Sequence, residues 1–245
     1  MSKISTFCTR VTLCAVFSFV AAWSQDAPAP KPPQTPQEHL DRWAGLARYH
    51  DQNLALAPPE PAEDRVVFMG DSITDGWSRG GTIFQNKRYI NRGMSGQTTP
   101  QMVARFRADV IALKPKVVVI LAGTNDIAGN TGPTTLEQIE VNLMSMVELA
   151  SANGIRVVLS SILPAYDYPW RKGLEPAPKI ATVNAWEKDY AASHNLVYLD
   201  YHSAMVDDRP GLKPELSGDG VHPNKAGYVI MEGLVEKAIA QALAH

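Results

Sequence analysis

The sequence has little cysteine, no marked excess of either charge and no long hydrophobic run. Its two cysteines, Cys8 and Cys14, both lie within the first 25 residues. The rest of the chain can therefore form no disulfide, and it offers neither a thiol nucleophile nor a cysteine ligand for zinc. The formal net charge is −2, which gives no indication of nucleic-acid binding.

The longest mainly apolar run, residues 11–23, has the features of a secretory signal. Lys3 and Arg10 precede the run, and Ala22-Trp23-Ser24 offers a small-x-small cleavage site. The run is too short to span a bilayer comfortably. We therefore expect residues 1–25 to be a cleaved signal peptide and the mature protein to be secreted or periplasmic, without stable membrane insertion. The alternative is an uncleaved membrane anchor.

The segment that follows divides into a spacer and a helix. Residues 26–36 are rich in proline, which indicates an extended spacer. The sequence Thr35-Pro36-Gln37-Glu38 has the pattern of a capping box with proline at the first helical position. It predicts a helix over residues 37–57, which we expect to pack outside the main domain at residues 58–245.

From residue 65 onward, short β-branched runs alternate with longer helical stretches. Strands are predicted at residues 66–69, 89–90, 117–121, 157–159 and 197–199. Helices are predicted at residues 99–113, 136–153, 178–194 and 225–243. Strands that are apolar throughout and alternate with helices indicate a parallel sheet covered on both faces. The sequence therefore predicts a single α/β domain, a three-layer α/β/α sandwich with a sheet of about five parallel strands.

Polar residues or glycines follow the predicted strands, where an open parallel sheet binds its ligands. Ser72 follows the first strand, Gly93 the second and Asn125 the third, and a long loop after the last strand contains Asp219 and His222. Each has a structural explanation when taken alone: a helix cap for Ser72 and Asn125, a turn for Gly93 and Asp219, a surface position for His222. The combination at one edge of the sheet favours a shared chemical function.

These residue types suit acyl transfer. A serine hydroxyl is a weak nucleophile until a base takes its proton, and an imidazole such as that of His222 titrates near neutrality. Asp219 can accept the other ring N–H and stabilise the imidazolium. The backbone N–H of Ser72, the N–H of Gly93 and the amide of Asn125 are candidate donors to an oxyanion.

Four blocks of the sequence resemble the signature blocks of the SGNH hydrolases, also called GDSL esterases or lipases. The blocks are Gly70-Asp71-Ser72-Ile73, Gly93 within "NRGMSGQTT", Gly123-Thr124-Asn125-Asp126 and Asp219-Gly220-Val221-His222. The resemblance covers residues 65–243. It implies a flavodoxin-like SGNH hydrolase fold, with Ser72 as nucleophile, His222 as base and Asp219 as its partner. Ser72, Gly93 and Asn125 would form the oxyanion hole.

One position departs from the family pattern. Ile73 stands where the namesake motif has leucine, a conservative apolar exchange.

The substrate is less well defined by the sequence. The segment 163–178 interleaves Tyr166, Tyr168 and Trp170 with charged residues, and aromatic faces with polar neighbours suit a sugar ring or an aryl group. The alternative is a loop whose aromatic side chains pack onto the fold. Asp71, beside the nucleophile, is a further candidate for substrate binding.

The blocks "GDSITDGW" and "GTNDI" look most similar to the short-chain branch of the family, the acetylhydrolases and carbohydrate esterases. We expect a secreted serine esterase for acetyl-like esters, with a small-molecule ester or an acetylated carbohydrate as substrate. The alternatives are a lysophospholipase or thioesterase, an O-acyltransferase, and a catalytically silent glycan-binding scaffold. No cofactor is implied, and the histidines show no metal-ligand spacing. The oligomeric state does not follow from the sequence.

Overall fold

Five short parallel strands form the central sheet, in the order β2-β1-β3-β4-β5. The structure is a computed structural model that describes residues 35–85 and 89–244. The strands are β1 Val66–Gly70, β2 Tyr89–Gly93, β3 Val117–Leu121, β4 Arg156–Ser160 and β5 Val197–Leu199. All five lie close to their predicted positions. The predicted α/β fold with a five-stranded parallel sheet is therefore confirmed. The predicted signal peptide and most of the proline-rich spacer lie outside the described residues.

Helices flank the sheet on both sides. Their bounds are α1 Pro36–Ala44, α2 His50–Ala55, α3 Ser72–Gly80, α4 Thr99–Asp109, α5 Thr124–Ile127, α6 Leu136–Ser151, α7 Pro176–Ser193, α8 His202–Met205 and α9 Lys225–Ala244. Among the helices that the structure describes, none is long and apolar enough to cross a membrane.

Two apolar clusters fill the two sides of the sheet, because successive side chains of a strand point to opposite faces. Val67 and Met69 of β1 pack in one cluster with buried residues of α4, α6 and α7. Val66 and Phe68 pack in the other with buried residues of α3, α8 and α9. This double burial explains why the strands are apolar throughout.

The N-terminal segment forms two helices instead of the single predicted one. The capping box of Thr35 and Glu38 begins α1, as predicted. The helix ends at Gly45, which adopts the left-handed conformation with φ 73°, a conformation that glycine adopts without steric cost. The periodicity of apolar residues does not predict this break between α1 and α2, which occurs at Gly45.

The two N-terminal helices pack on the outside of the domain, against α4. Asn53 Nδ2 of α2 donates to Asp109 Oδ1 at the end of α4, at 2.7 Å. Gln101 Nε2 of α4 donates to the carbonyl oxygen of Trp43 in α1, at 2.6 Å. Polar side chains of α4 thus hold α1 and α2 in place. The hydrophobic pattern of the N-terminal segment does not predict these polar contacts.

Strand β2 ends directly against the first turn of α3. A Cβ atom on Gly93 would lie 2.1 Å from the backbone nitrogen of Asp75 and 2.6 Å from the carbonyl carbon of Thr74. Real Cβ contacts are not this short, and both neighbours are backbone atoms that can move only if the helix moves. Gly93 is therefore required for the packing of α3 against β2.

We expect Gly93→Ala to lower the free energy of unfolding by about 2 kcal/mol or more, because the added methyl group forces α3 away from the sheet. Gly233→Ala is the matched control. Gly233 lies in α9 with open space around its Cβ position, so alanine there should stabilise the helix by up to about 1 kcal/mol. Urea unfolding of both variants measures the difference, and equal stability of the two would contradict this account of Gly93.

Candidate active site

Ser72, His222 and Asp219 form a continuous chain of hydrogen bonds at the carboxyl edge of the sheet. Ser72 Oγ lies 2.9 Å from His222 Nε2. His222 Nδ1 lies 2.7 Å from Asp219 Oδ2. Ser72 is the first residue of α3 and His222 precedes α9, and both are half-buried. The structure thus brings the three predicted residues together in the order serine, imidazole, carboxylate.

The contact between α3 and α9 sets the distance from Ser72 to His222. Tyr228 Oη of α9 donates to the carbonyl oxygen of Ile73 at 2.8 Å. The rings of Tyr228 and Trp77 stack with centroids 5.5 Å apart, and Trp77 Nε1 donates to Glu232 at 3.2 Å. Because these groups are buried or half-buried, they hold the first turn of α3 against the start of α9.

The loop that contains Asp219 is held by its own hydrogen bonds. Asp219 Oδ1 accepts the backbone N–H groups of Val221 at 2.9 Å and His222 at 2.8 Å. Ser217 Oγ donates to the carbonyl oxygen of His222 at 2.8 Å and accepts the N–H of Gly220 at 2.9 Å. Partial burial alone would raise the pKa of Asp219, but the hydrogen bonds from His222 and Val221 outweigh it and lower the pKa to about 2. Asp219 is therefore an ionised partner for the imidazole over the physiological pH range.

Asn125 lies in α5, directly after β3, and its amide is fixed at both ends. Its Nδ2 donates to the carbonyl oxygen of Gln97 at 3.0 Å, and its Oδ1 accepts from Asn130 Nδ2 at 2.8 Å. One N–H of Nδ2 is left without an acceptor among the described residues. The backbone N–H of Ser72 likewise has no acceptor among the described residues, because the N–H groups of the first residues of a helix find no acceptor within that helix.

The structure corrects the expected role of Gly93 as an oxyanion donor. The N–H of Gly93 donates to Asn91 Oδ1 at 2.8 Å, so this N–H already has an acceptor. Its carbonyl oxygen accepts from Tyr49 Oη. Gly93 thus has a packing role at the end of β2. The sequence alone does not distinguish an exposed glycine from a buried one.

A second glycine of the same block has the free N–H that Gly93 lacks. Gly96 adopts a left-handed conformation with φ 79°, and its N–H has no acceptor among the described residues. Its carbonyl oxygen accepts from Asn130 Nδ2 at 3.2 Å, the same group that fixes Asn125. Asn130 therefore ties the Gly96 turn to Asn125. Both glycines lie in the block "GMSGQTT", and the sequence alone does not show which of them has the free N–H.

A buried network supports this side of the site. The Gln97 side chain accepts from Arg105 Nε and donates to the carbonyl oxygen of Ala44 at 2.9 Å. Arg105 is fully buried, and its Nη2 donates to the carbonyl oxygen of Gly70 at 3.1 Å. Gln97 thus joins α1 to Asn125, and Arg105 joins α4 to the end of β1.

The four candidate substrate contacts divide into two pairs. Trp170 is 46% exposed, and its ring centroid lies 5.8 Å from that of His222. Tyr166 is 60% exposed, with the guanidinium of Arg209 5.6 Å from its ring centroid. These two side chains are accessible at the edge of the site.

Tyr168 and Asp71 were predicted to contact the substrate, but both side chains are buried. Tyr168 Oη lies 2.9 Å from Thr124 Oγ1 and donates to the carbonyl oxygen of Thr124 at 3.0 Å. Its ring stacks under Trp170 at 5.2 Å, so it supports Trp170 and is shielded from a substrate. Asp71 Oδ1 caps α3 by accepting the N–H of Ile73 at 2.9 Å.

Two buried carboxyl groups flank the site, one next to Ser72 and one next to Asn125. Burial raises the pKa of Asp71 to about 6 and that of Asp126 to about 6. Asp126 Oδ1 accepts from Thr99 Oγ1 at 2.6 Å, which joins the start of α4 to α5. Among the described residues, no group of three histidine, cysteine or acidic side chains could hold a metal ion.

We expect Asp71→Asn to change how stability depends on pH. A carboxyl group whose pKa is raised on folding makes the protein less stable as the pH rises from about 4 through 6. Asparagine keeps the oxygen that accepts the Ile73 N–H but cannot ionise. The free energy of unfolding of the variant minus that of the wild type should therefore be about 1–3 kcal/mol greater at pH 7 than at pH 4.5.

Urea unfolding at both pH values measures this difference. Any constant cost of the new amide group cancels, because it is the same at both pH values. If the difference in free energy of unfolding between variant and wild type is the same at both pH values, the raised pKa of Asp71 is contradicted.

Comparisons with known proteins identify the family. The family model for the GDSL-like Lipase/Acylhydrolase family matches residues 68–230. An acetylxylan esterase from Geobacillus stearothermophilus is 30% identical over 203 residues, which cover 69% of this chain and 90% of that protein. An acetylxylan esterase from Xylanibacter ruminicola is 27% identical over 78% of this chain, and the alignment spans only 48% of that longer protein.

A solved structure of a GDSL-like lipase from Bacteroides thetaiotaomicron is also similar. It superposes with a TM-score of 0.80 at 47% sequence identity, over 82% of this chain and 99% of that one. The resemblance inferred from the four sequence blocks is confirmed: the chain belongs to the GDSL-like lipase/acylhydrolase family and is a carboxylic ester hydrolase.

Proposed function

We propose that this chain is a secreted serine esterase that removes acetyl or similarly short acyl groups from carbohydrates. The observation that carries the proposal is the hydrogen-bonded chain from Ser72 through His222 to Asp219. A serine that contacts an imidazole nitrogen, whose other nitrogen contacts a carboxylate, has the arrangement needed for nucleophilic attack on an ester.

The reaction would proceed in two halves. Ser72 Oγ attacks the ester carbonyl carbon while His222 Nε2 takes its proton, and Asp219 stabilises the imidazolium through Nδ1–H. The tetrahedral intermediate collapses, the alcohol leaves with the proton from His222, and the acyl group remains on Ser72. Water then attacks the acyl group with His222 again as base, which releases the acid and restores the serine.

The oxyanion hole of this proposal has a revised membership. The donors are the backbone N–H of Ser72, one Nδ2 hydrogen of Asn125 and, in place of Gly93, the backbone N–H of Gly96. Each is left without an acceptor among the described residues, and Asn130 holds two of them together. The N-terminal end of α3 adds the positive end of a helix dipole near Ser72.

Three features support a short acyl group and a sugar alcohol. Helices α3 and α5 begin within three residues of the ends of β1 and β3, which leaves no length of chain there for a lid. The exposed ring of Trp170 beside His222 is suited to stack on a sugar. Relatives named as acetylxylan esterases act on acetylated carbohydrate, by their names.

Secretion rests on the sequence alone. The charge, apolar run and small-x-small site of residues 1–25 are those of a signal peptide, and this segment lies outside the described residues. The N-terminal sequence of the exported protein tests it: a start near Gln25 agrees with cleavage, and a start near Met1 contradicts it.

We expect Ser72→Ala to abolish hydrolysis of p-nitrophenyl acetate, because the nucleophile is lost. Initial rates of the wild type on the acetate, butyrate and octanoate esters should fall with acyl length. Ser151→Ala, an exposed serine of α6, is the matched control and should keep full activity. Unchanged activity in Ser72→Ala would contradict the triad. Faster turnover of octanoate would keep the triad and move the substrate to longer acyl chains.

We expect Asn125→Ala to lower kcat by about 100-fold or more with a much smaller change in KM, because its amide would bind the oxyanion and not the ground-state ester. Asn153→Ala, an exposed asparagine beyond the end of α6, is the control. Steady-state kinetics on p-nitrophenyl acetate give both constants. A loss confined to KM would show that Asn125 binds substrate without stabilising the intermediate.

A further inference from the structure

Helix α1 contributes to an open groove that the proposed reaction does not use. The groove has a volume of about 510 Å³. Trp43 of α1 forms part of its wall, and the start of α4, the loop after α5 and the first turns of α6 form the rest. The family match begins at residue 68, so Trp43 lies in the segment that the match does not reach.

The groove has an exposed apolar surface in a fixed position. Trp43 is 41% exposed and Val141 of α6 is 53% exposed. The carbonyl oxygen of Trp43 accepts from Gln101 Nε2 at 2.6 Å, which holds the end of α1 on α4. Tryptophan is enriched at binding surfaces, and ligand grooves are commonly lined by aromatic and apolar side chains. Because the backbone that carries it is held, its ring is suited to be a platform for a ligand.

The polar side chains of the groove favour a neutral, hydroxyl-rich ligand. Gln138 Oε1 accepts from the N–H of Thr135, and its Nε2 has no acceptor among the described residues. Asn142 Nδ2 donates to Thr99 Oγ1 at 3.0 Å, which leaves its Oδ1 to accept. Glu137 is exposed at the rim, and among residues 35–85 and 89–244 no lysine, arginine or histidine lines the groove. A carboxylate and amides without a cation disfavour an anion, and sugar hydroxyls can pair with each group.

The groove is joined to the oxyanion side of the active site. Asp126, which lines the groove, follows Asn125 directly in the chain and accepts from Thr99 at the start of α4. Thr131 also lines the groove, and its hydroxyl lies 3.1 Å from that of Thr98. The same short segment, α5 and the loop after it, therefore borders both places.

We propose that this groove is a distal subsite that binds one sugar residue of the carbohydrate chain, with the ring stacked on Trp43. This inference rests on the proposed function, because it takes the substrate to be an acetylated carbohydrate. It gives the N-terminal helices a role in substrate binding, and it makes the enzyme favour oligomeric over short substrates.

The test compares acetylated xylohexaose, acetylated xylobiose and p-nitrophenyl acetate. Trp43→Ala should raise KM for the hexaose about tenfold, the effect of losing an aromatic stacking contact. It should leave kcat/KM for the biose and for p-nitrophenyl acetate unchanged, because neither reaches the groove. Trp43→Phe should keep most of the hexaose affinity. Leu40→Ala is the matched control, because Leu40 is 57% exposed on the same helix but does not line the groove.

Several results would overturn the subsite. One is an unchanged KM for the hexaose in Trp43→Ala. Another is an equal loss on all three substrates, which would show a role in stability alone. A change in sedimentation coefficient in Trp43→Ala would identify the groove as a contact between copies of this chain.

Failure of the proposed function can be recognised separately. If the wild type does not hydrolyse p-nitrophenyl acetate, the proposal of a short-chain esterase fails whatever Trp43 does. Calorimetric titration of Ser72→Ala with unacetylated xylohexaose then tests the groove without turnover. Binding that is lost in the double variant Ser72→Ala with Trp43→Ala supports the subsite, and absence of binding to Ser72→Ala overturns it.

Discussion

The 2.9 Å contact between Ser72 Oγ and His222 Nε2 joins residues 150 positions apart in the chain. The packing of α3 against α9, on one side of the sheet, maintains this contact. Ser72 begins α3 at the end of a buried strand, and His222 precedes the long helix α9. The two helices are held together by the Tyr228 hydroxyl on the Ile73 carbonyl oxygen and by the stack of Tyr228 on Trp77. A shift of either helix by even an ångström would break the contact, so the packing of this face is part of the catalytic geometry.

The opposite side of Ser72 depends on polar groups instead of apolar packing. Arg105 and Gln97 are buried and connect the end of β1, the start of α4 and the N-terminal helices. Such a network holds its members in one arrangement only while every group has a partner. It fixes the carbonyl oxygen of Gln97 that orients Asn125. The N-terminal helices thus support Asn125 through Gln97 and, in our proposal, extend the substrate site through Trp43.

Local patterns in the sequence were enough to predict the sheet and the long helices, and they singled out three residues, Ser72, His222 and Asp219, that the structure brings into contact. Apolar runs mark buried strands whatever surrounds them, and Ser72, Asp219 and His222 stand beside recognisable turns. The errors have a common cause, since each depends on three-dimensional neighbours. Gly93 and Gly96 differ in whether a neighbouring group accepts a hydrogen bond from the backbone N–H. Tyr168 and Trp170 differ in whether the ring is buried or exposed to solvent. Gly45 divides the N-terminal helix because its backbone is left-handed, a property that a glycine permits but does not require.

The central claim is that Ser72 is a nucleophile activated by His222. Labelling with diethyl p-nitrophenyl phosphate tests it most directly, because this reagent phosphorylates an activated serine and releases p-nitrophenol in equal amount. We expect one phosphoryl group per chain, located by peptide mass spectrometry on Ser72, and labelling that is far slower in His222→Ala. Rapid labelling of another serine, or labelling of Ser72 at the same rate without His222, would contradict the account.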